Sequence, residues 1–226
     1  MARKPKEHNV AGSQNDIQLL ANEYPELLDS QLSTLIHESI KLNWCSPLKD
    51  DEYAEYVDQD FIDKLGISDK IKIPLKQFWP NKGPNWDGLA KYKNKVFIIE
   101  AKAHISEQQI ESTDSKDKSL SLIENSLQKT KNFLEVKSNV SWCKNNYYQY
   151  ANRLAHLYFL RELNNIDANL LFIYFLNDKT ILEKKETIED WEKAIDEVYK
   201  SLKIERKNKL SNYIHHIYID TNKFER

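Results

Sequence analysis

Residues 170–176, Leu-Leu-Phe-Ile-Tyr-Phe-Leu, constrain the fold more than any other stretch: seven consecutive apolar side chains closed by Asn177-Asp178. The run is far short of the roughly 20 residues that a membrane-crossing helix needs, and short for a typical buried helix. It reads as a strand buried on both faces, central in a sheet.

The rest of the chain supplies elements to build around that strand. Apolar residues at Ile17, Leu20, Ala21, Leu27, Leu28, Leu32, Leu35, Ile36 and Ile40 keep helical spacing and are interrupted at Pro25, giving two helices or one with a kink. A further helix is expected over 53–61, ending toward Gly66 as a C-cap. Pro74, Pro80, Gly83 and Pro84 divide short β-prone runs, followed by strands at 86–92 and 96–103. Helical periods return at 120–136, 140–163 (the strongest) and 188–202, and 213–219 is rich in strand formers. A polar, serine-rich stretch at 107–117 reads as a mobile loop.

These 226 residues, 40% apolar and 30% charged, are enough for one sizeable core. Residues 1–14 are polar and aperiodic and are expected to be disordered, leaving one domain over 15–226. The expected class is α/β, a mixed central sheet flanked by helices, with extra N- and C-terminal helices.

Several functions are excluded early. The G-x-x-x-x-G of Gly83 and Gly88 is followed by Leu-Ala rather than Lys-Ser/Thr, and G-x-G-x-x-G, G-x-S-x-G and His-Glu-x-x-His are absent. Cys45 and Cys143 cannot make a disulfide framework or a Cys-x-x-Cys zinc site, and no apolar export segment follows the N-terminus; a reducing cytoplasm fits. His215 and His216 would point to opposite faces of a strand and lack metal-ligand spacing. With 33 basic and 35 acidic side chains the molecule has no global field for a polyanion, so any nucleic-acid surface must be local, built from lysines such as Lys91, Lys93 and Lys95.

One constellation carries chemistry: Asp87-Gly88, a polar link, then Val96-Phe97-Ile98-Ile99-Glu100-Ala101-Lys102-Ala103-His104. Glu-x-Lys occurs four times in the chain, but only here does it cap an apolar strand. On a strand Glu100, Lys102 and His104 share a face. A two-residue turn at Lys93-Asn94 sets Asp87 opposite Glu100, and one at Asn94-Lys95 sets it opposite Lys102; a three-residue turn sends Asp87 to the far face. Paired carboxylates repel unless a hard cation such as Mg²⁺ relieves them, and an adjacent lysine orients or deprotonates a metal-bound water. The bland alternative is an ion pair at a strand end, with Asp87 a turn residue.

Asp87 followed by Glu100-Ala101-Lys102 resembles the PD-(D/E)XK nuclease superfamily, in which an aspartate and a Glu/Asp-x-Lys lie on successive strands. The superfamily's restriction-endonuclease-like core, a helix, three antiparallel strands, a helix and a strand, is matched in order over about 27–178, although Trp86 stands where that signature has proline. The resemblance implies catalytic Asp87, Glu100 and Lys102. It also implies Mg²⁺, replaceable by Mn²⁺, on Asp87, Glu100 and the Ala101 carbonyl, and products with a 5′-phosphate and a 3′-hydroxyl. Supporting residues by the same resemblance are Glu38, Gln149 and Arg153, while His104 is a candidate water or phosphate contact from its position on the strand. The expected partner is nucleic acid, DNA in the first place, with a homodimer as an open assembly state and no membrane. The alternatives are a catalytically silent nucleic-acid-binding module and a protein-interaction subunit on the same fold.

Overall fold

In the computed structural model the apolar run lies within the strand Ala168–Leu176, bordered by a hydrogen-bonded strand on each edge and buried on both faces from 168 to 175. The structure describes residues 3–4, 6–7, 12–109, 117–178 and 185–224. Along these the elements are β1 (Arg3–Lys4), α1 (Ser13–Asn22), α2 (Pro25–Ile36), β2 (Asn43–Ser46), β3 (Glu55–Tyr56), α3 (Asp58–Lys64) and β4 (Gly88–Tyr92). They continue with β5 (Lys95–Lys102), α4 (Asp117–Phe133), α5 (Tyr148–Tyr158), β6 (Ala168–Leu176), α6 (Ile188–Leu202) and β7 (Ile214–Asp220).

The fold is α/β. Its mixed five-stranded sheet has the order β2-β4-β5-β6-β7, with β2, β4 and β5 antiparallel in sequence and β5, β6 and β7 parallel. Alternation along β5 separates two cores. Phe97, Ile99 and Ala101 join Leu20 of α1 and Leu28 and Leu32 of α2 on one face. Val96 and Ile98 join Leu127 of α4, Leu154 of α5 and Trp191 of α6 on the other. Pro25 opens α2, where its missing N–H costs nothing, so the two-helix reading holds. Gly66, at φ +65, follows α3 as expected of a C-cap residue.

The structure departs from the sequence reading at short elements. The first strand of the antiparallel set is β2, four residues long and broken by an irregularity between Trp44 and Ser46. No strand forms at 67–80; Ser68–Lys70 and Leu75–Gln77 are single 3-10 turns, as suits a stretch whose Pro74 and Pro80 cannot donate to a ladder. The helix expected over 53–61 starts only at Asp58, because Glu55–Tyr56 pair with Arg3–Lys4 from the segment expected to be disordered. The strongest predicted helix begins at Tyr148 rather than 140 and widens into a π turn at Phe159–Leu163. Most of the serine-rich stretch, 110–116, lies outside the described residues. Both cysteines are free and buried. Among the described residues no helix is long and apolar enough to cross a membrane.

Candidate functional site

The hairpin decides between the registers that the sequence left open. Tyr92 pairs with Lys95, so the turn is the two residues Lys93-Asn94, with Lys93 left-handed at φ 53. Gly88 then pairs with Ile99, and one step further Asp87 stands across from Glu100. Glu100 and Lys102 lie on the same face of β5 as Ile98, toward α5. Asp87 fastens the open end of the hairpin: its Oδ2 accepts the Ala101 N–H at 2.8 Å.

α5 delivers the counter-charge. Its Ala151, Leu154 and Ala155 are buried in the core, and Tyr150 stacks on Phe172 of β6 with centroids 4.4 Å apart. That seating brings Arg153 over the Trp86 ring at 5.0 Å. Arg153 Nε donates to Glu100 Oε2 at 2.7 Å, Nη1 to Asn152 Oδ1 at 2.7 Å and Nη2 to the Asn85 carbonyl at 3.0 Å. Lys102 Nζ is 2.7 Å from Glu100 Oε1, an ion pair outside good hydrogen-bond geometry, so this buried oxygen makes no hydrogen bond within the described residues.

Burial alone would raise the Glu100 pKa, but the charges of Arg153 and Lys102 outweigh it and hold the carboxyl below its usual range. Asp87 goes the other way: burial pushes it up to about 8, reinforced by the charges of Glu100 and Glu55 and opposed by Lys102. For Lys102 burial favours the neutral amine, yet Glu100 and Asp87 prevail and raise its pKa. The lysine is therefore an ammonium at neutral pH, suited to orienting and charge compensation rather than to taking a proton. Glu55 is a third acid near the cluster, raised by burial, with Lys6 Nζ at 3.0 Å. The sequence reading missed it because the period around Tyr53 and Tyr56 suggested a helix, and nothing local marks a two-residue strand.

Of the supporting residues, Arg153 joins the cluster. Gln149, one turn earlier, lines a small pocket of about 20 Å³ together with Glu100, Lys102 and the buried Gln108. Glu38 does not join: it lies just beyond α2 and binds Lys93 at 2.5 Å and Lys95 at 3.2 Å, at the turn end of the hairpin. Lys95 and Lys102 are seven steps apart along β5, which at ~3.3 Å per step is roughly 23 Å. His104 lies beyond the paired strand: β5 ends at Lys102, and His104, still extended, leads into the turn Ile105–Gln108. Among the described residues no hydrogen bond or ion pair links its ring to the cluster.

Comparison with known proteins identifies no relative. No protein-family model matches the chain, and no match is found among curated proteins or solved structures. The donor chemistry is therefore judged on its own terms. Among the described residues no three His, Cys, Asp or Glu side chains converge into a metal cage. Mg²⁺, however, commonly binds through one or two carboxylates and completes its shell with water and phosphate. Asp87 and Glu100 offer hard oxygens, one of them the buried Oε1 without a hydrogen bond, and a cation would offset the repulsion that raises Asp87. The residues fit such an ion.

Proposed function

We propose that the protein is a metal-dependent nuclease that hydrolyses phosphodiester bonds of DNA, on a PD-(D/E)XK plan. The observation that carries this reading is the hairpin register, which sets Asp87 against Glu100 and leaves Lys102 on the same face. The succession α2, β2, β4, β5, α5, β6, with β3 and α3 inserted after β2 and α4 before α5 and the three sheet strands antiparallel, supports it as the helix, three strands, helix, strand succession of that superfamily.

Asp87 and Glu100 would hold Mg²⁺ or Mn²⁺, with the carbonyl of Ala101, the residue after Glu100, as a further ligand. The bound ion supplies charge for the phosphate oxygens and an acidified water. Lys102, held as an ammonium, orients the attacking water and a phosphate oxygen. Arg153 fixes the Glu100 carboxylate through Nε while its other nitrogens hold the loop carbonyl of Asn85 and the side chain of Asn152. Restriction, phage defence and repair all use this chemistry. A cytoplasmic location agrees with two free, buried thiols, and a homodimer would supply two such sites to a duplex.

The test is cleavage of plasmid, linear duplex and single-stranded DNA with and without Mg²⁺ or Mn²⁺, comparing wild type with Asp87→Ala and Lys102→Ala. Metal-dependent cutting lost in both variants is expected. Cutting that survives in both overturns the assignment.

A second reading, a nucleic-acid-binding module without turnover, is favoured by one feature: both Glu100 oxygens already face cations, Arg153 and Lys102. Its signature is DNA binding that ignores the metal and survives Asp87→Ala.

A further inference from the structure

Behind the acid cluster lies a second, larger concavity. It offers about 400 Å³ between the loop at 79–84, the first turns of α4 at Ser119 and Ile123, and the start of α5 at Tyr148 and Asn152. One guanidinium separates it from the proposed active site. Arg153 donates to Glu100 through Nε and to Asn152 Oδ1, in the pocket wall, through Nη1 at 2.7 Å.

That contact orients the Asn152 amide. With Oδ1 committed to Arg153, the NH₂ is the remaining group; among the described residues no protein acceptor holds it, and it is not one of the fully buried polar atoms, so a ligand in the pocket can reach it. A donor held in this way favours a ligand that brings an acceptor. The opposite wall is preformed. Asp58 accepts the backbone N–H groups of Lys82 at 3.0 Å and Gly83 at 2.9 Å, and a Cβ at Gly83 would crowd Asp58 Oδ1 and Trp79 Cδ1 at 3.3 Å. The loop therefore stands closely packed against Trp79 and does not need to order around a ligand. Flat surfaces come from Trp79, Pro80 and the half-buried Tyr148, and the exposed Lys82 places one cation at the rim.

Flat walls, a fixed amide donor and a single rim cation match a planar heterocycle carrying a phosphate better than they match an inorganic anion, which would call for several donors and more charge. We propose that this pocket binds the base of the nucleotide adjoining the scissile phosphate, with Asn152 donating to an acceptor on the base edge and Tyr148 stacking against the ring. The proposal rests on the nuclease reading for its placement beside a scissile bond, but the binding itself needs neither metal nor turnover.

The test is calorimetric titration of the full chain, without metal, by each of the four deoxynucleoside 5′-monophosphates and by inorganic phosphate. It is run on wild type, Asn152→Ala and Tyr148→Ala, with far- and near-UV circular dichroism to show that the variants fold. Wild type is expected to bind at least one nucleotide with a preference among bases, and each folded variant to bind it about tenfold more weakly. Should Asn152→Ala disturb Arg153 and fail to fold, Tyr148→Ala decides alone. No nucleotide binding by wild type overturns the proposal, as do unchanged affinity in the folded variants and inorganic phosphate binding as tightly as the nucleotides. Base-selective binding in a protein that cuts no DNA under any metal keeps the pocket and removes the nuclease. Metal-dependent cutting without nucleotide binding keeps the nuclease and removes the pocket.

Discussion

Replacing Arg153 by Met isolates the charge that stabilises Glu100, because the methionine chain retains much of the packing over Trp86. Glu100 is 2% exposed and Arg153 4% exposed, so the pair is fully desolvated. Breaking one partner of a buried pair costs about 3–5 kcal/mol. Lys102 remains 2.7 Å from the other oxygen, which argues for the lower end, ~3 kcal/mol at pH 7. At roughly 2–4 °C per kcal/mol for a domain of this size, the melting temperature falls by about 6–12 °C.

The pH dependence gives a second, sharper signature. In wild type the folded Glu100 pKa lies below the ordinary glutamate value of 4.5, so its stabilisation is present above that value and is lost as pH falls through the folded pKa. In Arg153→Met burial is opposed chiefly by Lys102, the folded pKa rises, and protonation relieves the variant as the solution is acidified. The gap between the two proteins therefore narrows between neutral pH and pH ~4. Urea unfolding of both proteins across this range measures it. A gap under ~1 kcal/mol at pH 7, or one that stays constant or widens in acid, refutes the account of Glu100 as a buried anion held by Arg153.

Asp87→Asn should show the opposite trend. The Asp87 pKa is raised from 3.8 to about 8, so wild type loses stability as pH rises through that window, up to an order of 5 kcal/mol. The variant is expected to gain on wild type from pH 4 to pH 8 in thermal melts. Saturating Mg²⁺ should stabilise wild type alone; a pH-independent difference would contradict an Asp87 carboxyl raised by burial and the Glu100 charge. Gly88→Ala tests the hairpin seam. A Cβ there meets Trp44 Cζ3 at 3.0 Å and Ile99 Cβ at 3.2 Å, an overpacking cost of about 1–3 kcal/mol. A variant that melts with wild type would show slack between β2, β4 and β5.

The elements legible in the sequence are those whose side chains repeat. The apolar run at 170–176 and the amphipathic stretch at 188–202 return as β6 and α6, the latter closed by a Thr187–Asp190 capping box. Short elements were not legible. β2 has four residues and β3 two, too few to display a period, and each exists because an edge elsewhere in the chain offers it hydrogen bonds. Strand alternation put Glu100 and Lys102 on one face, while His104 lies two residues past the end of β5.

By itself, then, the sequence determined which residues face which side of each long element, and so put an acid and a lysine on one face at the end of a buried strand, with an aspartate at the start of the strand before it. Tertiary structure decided what surrounds them. It chose the two-residue turn among three registers, brought Arg153 and Glu55 in from distant elements, and sent Glu38 to the far end of the hairpin. The physical reason is that periodicity is a local property of the chain. Charge compensation, burial and the pKa values they set depend on neighbours in space, and at this site Arg153 alone reaches partners 53 and 68 residues away in sequence.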